Sequence, residues 1–401
     1  MKVVIKPSRL CGEIAAPPSK SYAHRLLICA ALSDGVSTVR GISKSEDMLA
    51  TLDCMSALGI EYKTDGDNVT VYGGLDRKQR DTEFACRESG STLRFFMPIA
   101  LAAQKKSVFT GSERLISRGI GIYEKLFSEN GIEVSKTDKT ITLDGTLKAG
   151  KYSVMGNISS QFITGLLFAL PLLSGDSELR VIPPVESRPY IDITIDAMKT
   201  FGVEIEEPSP NTFKIHGNSK YRPTDTSVEG DWSNAAALFA LGMSGDVKVT
   251  GLKDDSVQGD KVCVEHLNRL SSGTPTIDIS DCPDLGPVLF AAAAIKNGAT
   301  FTGTARLRIK ESDRASAMAE EMRKFGIETE VSDNSVIVKK GELCAPTEVL
   351  SSHNDHRIVM AMTLLSSYVG GVIDTAEAIN KSYPDFFKET AKLGLEAEYR
   401  D

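Results

Sequence analysis

At 401 residues the chain is longer than one hydrophobic core supports, so two domains are expected. Its formal net charge of −8 excludes nucleic acid as the main partner, and its composition excludes a disordered or low-complexity protein. Seven cysteines, an odd number without C-x-x-C spacing, point to reduced thiols in a cytoplasmic compartment. Met1 to Ile5 alternates like a strand and does not read as a signal peptide. The apolar runs near Phe162 to Leu173 and Val288 to Ile295 are too short to span a bilayer, so no membrane partner is expected.

The first motif is Pro17-Pro18-Ser19-Lys20-Ser21-Tyr22-Ala23-His24-Arg25. The prolines forbid helix before Ser19, and Tyr22 to Leu32 reads as a helix capped by Ser19 to Ser21. A helix start with Lys20, two hydroxyls and Arg25 one turn on is an anion seat, although a plain capped helix accounts for the same residues. Next comes Met55-Ser56-Ala57-Leu58-Gly59-Ile60-Glu61-Tyr62, an Asp65-Gly66-Asp67-Asn68 turn and Val69 to Tyr72. Helix, glycine, strand, turn and strand follow one another there.

That unit returns at Leu126 to Leu143 around Gly131, Met198 to Ile215 around Gly202 and Met322 to Val338 around Gly326. It returns cut short at Leu393 to Tyr399 around Gly394, and degraded, without its return strand, at Leu267 to Ile279 around Gly273. Six copies, none able to bury its apolar face alone, imply a packed repeat architecture of three copies per domain. The lone N-terminal strand has no local partner and is expected to join the C-terminal half, so the chain crosses between domains at Ala16 to Pro18 and at Thr226 to Gly230. The domains are then 18–229 and 1–17 with 230–401, and Ser19 to Arg25 sits at a hinge where closing domains would hold a ligand.

Polar motifs fall at the remaining element ends. Arg87-Glu88-Ser89-Gly90-Ser91-Thr92-Leu93-Arg94 precedes an apolar helix, and Ser112 to Gly119 reads as a loop carrying Arg114 and Arg118. Asn157-Ile158-Ser159-Ser160-Gln161 opens another helix, and Ser187-Arg188-Pro189-Tyr190 follows two prolines. Glu229-Gly230-Asp231-Trp232-Ser233-Asn234 precedes an alanine-rich helix, and Asp281-Cys282-Pro283-Asp284 stands where the degraded copy lost its strand. Arg306 to Ile309 alternates like a strand, ending in Lys310-Glu311-Ser312-Asp313-Arg314 with Ser312 or Asp313 capping the next helix. His353-Asn354-Asp355-His356-Arg357 opens a helix, and its H-x-x-H spacing lacks the further ligands of a metal site. Lys381 follows. Nine cations at element ends of an acidic protein imply a small polyanionic ligand.

In this combination the chain resembles the 5-enolpyruvylshikimate-3-phosphate synthase family over essentially its whole length. The resemblance rests on Pro18-Ser19-Lys20-Ser21 with Arg25, Gly90 with Arg94, Ser159-Ser160-Gln161, Pro283-Asp284, Lys310 to Arg314, Asn354 to Arg357 and Lys381. It implies a two-domain inside-out α/β barrel of six beta-alpha repeats that closes on its ligands. The implied reaction moves the enolpyruvyl group of phosphoenolpyruvate to shikimate 3-phosphate without metal or other cofactor. The implied partners are those two small molecules, in a cytoplasmic monomer. Shikimate 3-phosphate would be held by Lys20, Ser21, Arg25, Ser159, Ser160, Gln161, Ser187, Asp284 and Lys310. Phosphoenolpyruvate would be held by Lys20, Gly90, Arg118, Gln161, Arg314, Arg357 and Lys381. Asp284 and Glu311 would be the acid-base pair, with Lys20 assisting.

The pattern departs from the family at Glu88-Ser89-Gly90-Ser91, where Asn-Ala-Gly-Thr is usual, at Gly119 for proline, and at Arg306 for a neutral amide. A related family, UDP-N-acetylglucosamine enolpyruvyl transferase, has a Lys-Asn pair and a loop cysteine. This chain has Lys20-Ser21 and no cysteine between Cys86 and Cys263. A non-catalytic phosphate-binding protein of the same fold is the other alternative, and retention of Asp284 and Glu311 argues against it.

Overall fold

The computed structural model describes residues 1–75, 81–103 and 106–400. Two compact units divide the chain, one of Lys20–Glu229 and one of Met1–Ser19 with Gly230–Asp401.

In the Lys20–Glu229 unit, the described residues form three four-stranded sheets of one pattern. One is Asp81–Ala85 parallel to Lys106–Thr110, which pairs antiparallel with Thr140–Asp144 and through it with Glu133–Lys136. Each sheet has its own buried helix, which in two of them is the crossover that a parallel pair needs, and in all three the antiparallel pair is closed by a hairpin. The helices are α1 (Lys20–Leu32), α2 (Gly90–Ala103) and α3 (Ser160–Ala169). From Tyr22 to Leu32 every residue of α1 is buried, as are nearly all of α2 and α3. Such helices belong in a protein interior, and the sheets cover them with one face each, burying for example Val69 and Val71 of Asn68–Gly73.

The second unit repeats the arrangement around α4 (Trp232–Leu241), α5 (Gly286–Ile295) and α6 (His356–Val369). The alanines of α4 and α5 let these helices pack closely. Lys2–Ile5 lies between Ala397–Arg400 and Gly371–Asp374, antiparallel to both, and so supplies the return strand that the last repeat lacks. Where the chain passes from unit to unit, two first strands are exchanged. Cys11–Ala15 leads into α1 yet pairs with Asp246–Thr250, and Thr226–Ser227 leads toward α4 yet pairs with Gly35–Arg40.

Three local expectations are corrected. Thr276–Asp278 is not the first strand of a degraded hairpin; it pairs parallel with Ala299–Thr302 and opens the next repeat, so the fourth copy has neither hairpin strand. Ala305–Ile309 is a short 3-10 turn, because Gly303 at φ 72° ends the strand Ala299–Thr302, after which Leu307 is buried and Ile309 exposed. Glu113–Ser117 is a helical turn, not a loop, capped by Ser112, whose hydroxyl accepts from the Leu115 N–H at 3.1 Å.

Candidate active site

Polar residues collect at the starts of the core helices, because each helix leaves its sheet at that end and its first N–H groups have no partner within the helix. In the Lys20–Glu229 unit two clusters form. Arg25, only 2% exposed, donates to the Ser21 carbonyl at 2.7 Å, the Thr194 hydroxyl at 2.8 Å and the Tyr190 carbonyl at 3.0 Å. It also lies over the face of Phe95. All these acceptors are neutral. Burial pushes the Arg25 guanidinium down to about 10, so it stays charged at neutral pH, and a buried cation among neutral groups favours an anion beside it. Ser187, buried and in the left-handed region at φ 56°, precedes the helix Arg188–Thr200 that carries Tyr190 and Thr194. Lys20 pairs with Asp47 at 2.8 Å.

The second cluster joins the starts of α2 and α3. Arg94 donates to Gln161 Oε1 at 2.7 Å and to the Gly119 carbonyl at 3.1 Å, and Gln161 Nε2 donates to Ser91 at 3.0 Å. Tyr123 holds the Arg94 carbonyl at 3.0 Å. Ser159 caps α3 by accepting from the Gln161 N–H at 3.3 Å, with Ser160 buried beside it. A Cβ at Gly90 would lie 2.8 Å from Arg94 Nη1 and 3.0 Å from Arg118 Nη1, so Gly90 and both guanidinium groups meet at one point. Glu88, the first departure from the family pattern, is exposed.

In the second unit, Arg314 organises the site. Its side chain is 1% exposed and four of its five N–H groups are taken by three carboxylates. Nε donates to Asp355 at 2.8 Å, Nη1 to Asp284 at 2.8 Å and Nη2 to Glu311 at 2.7 Å and to Asp355 at 3.3 Å. Lys310 also donates to Asp284, at 2.9 Å. Burial alone would raise the Asp284 carboxyl, but Lys310, Arg314 and Arg357 together hold it well below the usual carboxylate range. Burial, Arg314 and Arg306 lower the Lys310 ammonium, against the pull of Asp284.

Asp313 caps the helix Arg314–Lys324, while Ser312 turns to Asp355 at 3.1 Å. Asp355 caps α6 by accepting from the Arg357 N–H at 2.9 Å. Arg357 donates to the Ser233 carbonyl at 2.9 Å and the Asn234 side chain at 3.2 Å, joining the starts of α6 and α4. Lys381 reaches the Asn354 carbonyl at 2.8 Å. The two histidines of the H-x-x-H pair diverge. His353 bonds to Glu321 at 3.0 Å, and Glu321 also takes Lys324 on both oxygens, so a cation beside Glu320, Glu321 and His353 would have to displace that lysine.

Thus every site residue expected from the sequence lies at a helix start or in the turn before one, within one of these clusters or beside it. The sequence reading did not assign Asp47, which pairs with Lys20, the role of Asp355, or Asp260. Asp260 is 5% exposed in the turn Gly259–Val262, near Ser233 and Asp284. Burial, and then the Asp284 charge, push its carboxyl up to about 6. Its ionised form therefore costs stability, a cost absent below about pH 4 and fully present once pH has risen through about 6. Asp260→Asn is expected to raise unfolding stability at pH 8 by about 2 kcal/mol, with the gain gone near pH 4. Denaturant unfolding of both proteins at the two pH values checks this; a gain independent of pH would contradict it.

A sequence profile of the family described as EPSP synthase (3-phosphoshikimate 1-carboxyvinyltransferase) matches residues 4–390. The chain belongs to this family. It is 41% identical over 423 aligned positions to a 3-phosphoshikimate 1-carboxyvinyltransferase of Clostridium novyi, covering 98% of this chain and 97% of the relative. A relative of the same name from Clostridium kluyveri is 39% identical, covering 99% and 98%. A solved EPSP synthase from Acinetobacter baumannii superposes with a TM-score of 0.82 at 23% identity, covering all of both chains. The enolpyruvyl transferase NikO from Streptomyces tendae gives 0.78 at 14% identity, covering 100% of this chain and 98% of NikO. These two likenesses establish the shared fold. Among the described residues no helix is long and apolar enough to cross a membrane.

Proposed function

We propose that the protein transfers the enolpyruvyl group of phosphoenolpyruvate to the 5-hydroxyl of shikimate 3-phosphate, releasing phosphate, with the residues described above acting on one pair of substrates. The observation that carries this reading beyond family membership is the pairing of Asp284 and Glu311 on one buried guanidinium, with Lys310 on the same Asp284 oxygen. Binding two anions gains nothing from two carboxylates, whereas proton transfer needs them.

Asp284 takes the proton of the 5-hydroxyl as its oxygen bonds to C2 of phosphoenolpyruvate, and Glu311 gives a proton to C3. The tetrahedral intermediate then loses a proton from C3 back to Glu311 and expels phosphate, which takes the proton held by Asp284, regenerating the enol ether and the base. Asp284 paired with Lys310 is ionised but weakly basic. A substrate phosphate or hydroxyl that draws Lys310 away raises its basicity when substrate is in place. Lys20, Ser21, Arg25, Ser159, Ser160, Gln161 and Ser187 hold shikimate 3-phosphate. Arg118 and Gly90 with Lys20 and Gln161 hold phosphoenolpyruvate, joined by Arg357, Lys381 and the fifth N–H of Arg314. With water excluded from around the ligands, these fixed cations stabilise charge on the phosphate and carboxylate groups. The catalytic unit is a monomer working in the cytoplasm.

Phosphate release from phosphoenolpyruvate, measured with shikimate 3-phosphate, with UDP-N-acetylglucosamine and with neither, tests the reading. Release with shikimate 3-phosphate alone is expected, and release with the nucleotide sugar, or with neither acceptor, would reject it. Gly90→Ala supplies a second test. Its methyl would press on Arg94 and Arg118, and overpacking of this kind costs about 1–3 kcal/mol, so KM for phosphoenolpyruvate should rise about tenfold. Affinity for shikimate 3-phosphate should fall less, since Arg94 bonds to Gln161 but Arg25 and Ser187 lie in the other cluster. An unchanged KM for phosphoenolpyruvate would place that substrate elsewhere.

A further inference from the structure

One side chain outside both sets of site residues joins the two places where the chain passes between units. Gln258 is 4% exposed. Its Oε1 accepts from the Ser19 hydroxyl at 3.2 Å and from the Trp232 N–H at 3.1 Å, and its Nε2 donates to the Gly230 carbonyl at 2.8 Å. The orientation of the amide is fixed by its backbone partners, because the Trp232 N–H can only donate and the Gly230 carbonyl can only accept. No other side chain of this length offers an acceptor and a donor on one carbon. Both strands are therefore held from a single point, residues 17–19 on one side and 230–232 on the other. They also touch directly: the Asp231 N–H donates to the Pro17 carbonyl at 2.8 Å, and Pro18 bridges to Gly230.

The seat of Gln258 is itself rigid. Its own N–H donates to Ser256 at 3.1 Å, and its carbonyl accepts from Lys261 at 3.3 Å. Gly230 passes so close to Gly251 that a Cβ there would lie 2.3 Å from the Gly251 carbonyl oxygen. Ala16 is pinned to Thr250 at 2.8 Å. What this frame fixes is the residue immediately before Lys20. On the far side, Arg25 grips the Ser21 carbonyl. Lys20 is thus bracketed, with its preceding residue held by Gln258 and its following carbonyl held by Arg25. Its own ammonium is steered by Asp47.

We infer that Gln258 is a positioning residue for the reaction, one that sets where Lys20 and Ser21 present their donors by clamping Ser19 to the returning strand at Gly230 and Trp232. It touches neither substrate and acts through Lys20. The inference rests on the reading that Lys20 binds substrate, and its test separates the two.

Shikimate 3-phosphate binding is measured calorimetrically for wild type, Lys20→Ala, Gln258→Leu and the double variant. Lys20→Ala should weaken binding by about 30-fold or more, the loss of a charge-assisted bond. Gln258→Leu, which keeps the volume and removes all three bonds, should weaken it about tenfold. The double variant should bind no more weakly than Lys20→Ala, to within about twofold, because a residue that acts through Lys20 has nothing left to position. A merely structural glutamine would give losses that multiply, and that result, or wild-type affinity in Gln258→Leu, overturns the inference while leaving the site reading intact. Wild-type affinity in Lys20→Ala overturns both. If Gln258→Leu does not fold, Ser19→Ala, which removes only one of the three bonds, takes its place in the cycle. Its expected loss is about threefold, again absent once Lys20 is gone.

Discussion

Asp284→Ala is expected to lower kcat by about a thousandfold, within the range that a positioned general base contributes, while shikimate 3-phosphate binds at least as tightly as in wild type. The two halves of this expectation have one cause. Asp284 occupies Lys310 and Arg314 at 2.9 and 2.8 Å, so removing it takes away a base and at the same time releases two cations toward the substrate phosphate. Glu311→Gln should lose turnover by a similar factor, since a glutamine neither gives nor recovers a proton at C3. Pre-steady-state phosphate release separates the variants from a binding defect. Turnover within about tenfold of wild type in either would remove that carboxylate from the chemistry.

The repeats are legible because local chemistry dictates them. A glycine that ends a helix in the left-handed region, followed by an alternating strand and an Asp-Gly turn, needs no distant residue to be recognised, and Gly59, Gly131, Gly202, Gly326 and Gly394 all take positive φ. The lone strand at Met1 to Ile5 is legible for a complementary reason, since an apolar strand without a neighbour must find one elsewhere, and it finds Ala397–Arg400. Arg306 to Ile309 misleads because four residues alternate equally well in a strand and in a tight turn, and only Gly303 distinguishes them. The site is legible as a set of cations at helix starts but not as a circuit. Lys20 finds Asp47 across 27 residues and Arg314 finds Asp355 across 41, and no local pattern records such pairings. Asp260 is hidden for the same reason: an aspartate in a glycine turn reads as solvated until the fold sets it beside Asp284.

The two units assemble their sites by one rule with opposite electrostatics. In Lys20–Glu229 the starts of α1, α2 and α3 gather around Arg25 and Arg94, and Arg25 meets only neutral acceptors, which leaves its charge for a ligand. In the other unit the starts of α5 and α6 gather around Arg314, whose charge is consumed by Asp284, Glu311 and Asp355. One unit presents a buried cation among neutral acceptors, and the other presents three carboxylates around one buried cation.

Arg314→Met should accordingly be the most damaging single change to stability. It leaves three carboxylates that shared one buried guanidinium without it, and breaking a buried ion pair from one side costs about 3–5 kcal/mol. The pH dependence carries the sign. In wild type the depressed Asp284 contributes stability that is present above the ordinary carboxylate range and is lost as pH falls through its lowered value. In the variant Asp284 loses one of the cations that hold its carboxyl down, so its pKa rises and its protonation relieves the repulsion. The deficit relative to wild type at the same pH should be greatest at pH 7 to 8 and shrink by about half near pH 5. Asp355→Asn in the same chain should recover part of the loss, because Asp355 is fully buried and, without Arg314, is the carboxylate least able to reach water. Urea unfolding of the single and double variants at both pH values decides the matter. A deficit that neither shrinks in acid nor responds to Asp355→Asn would assign the role of Arg314 to packing and not to charge.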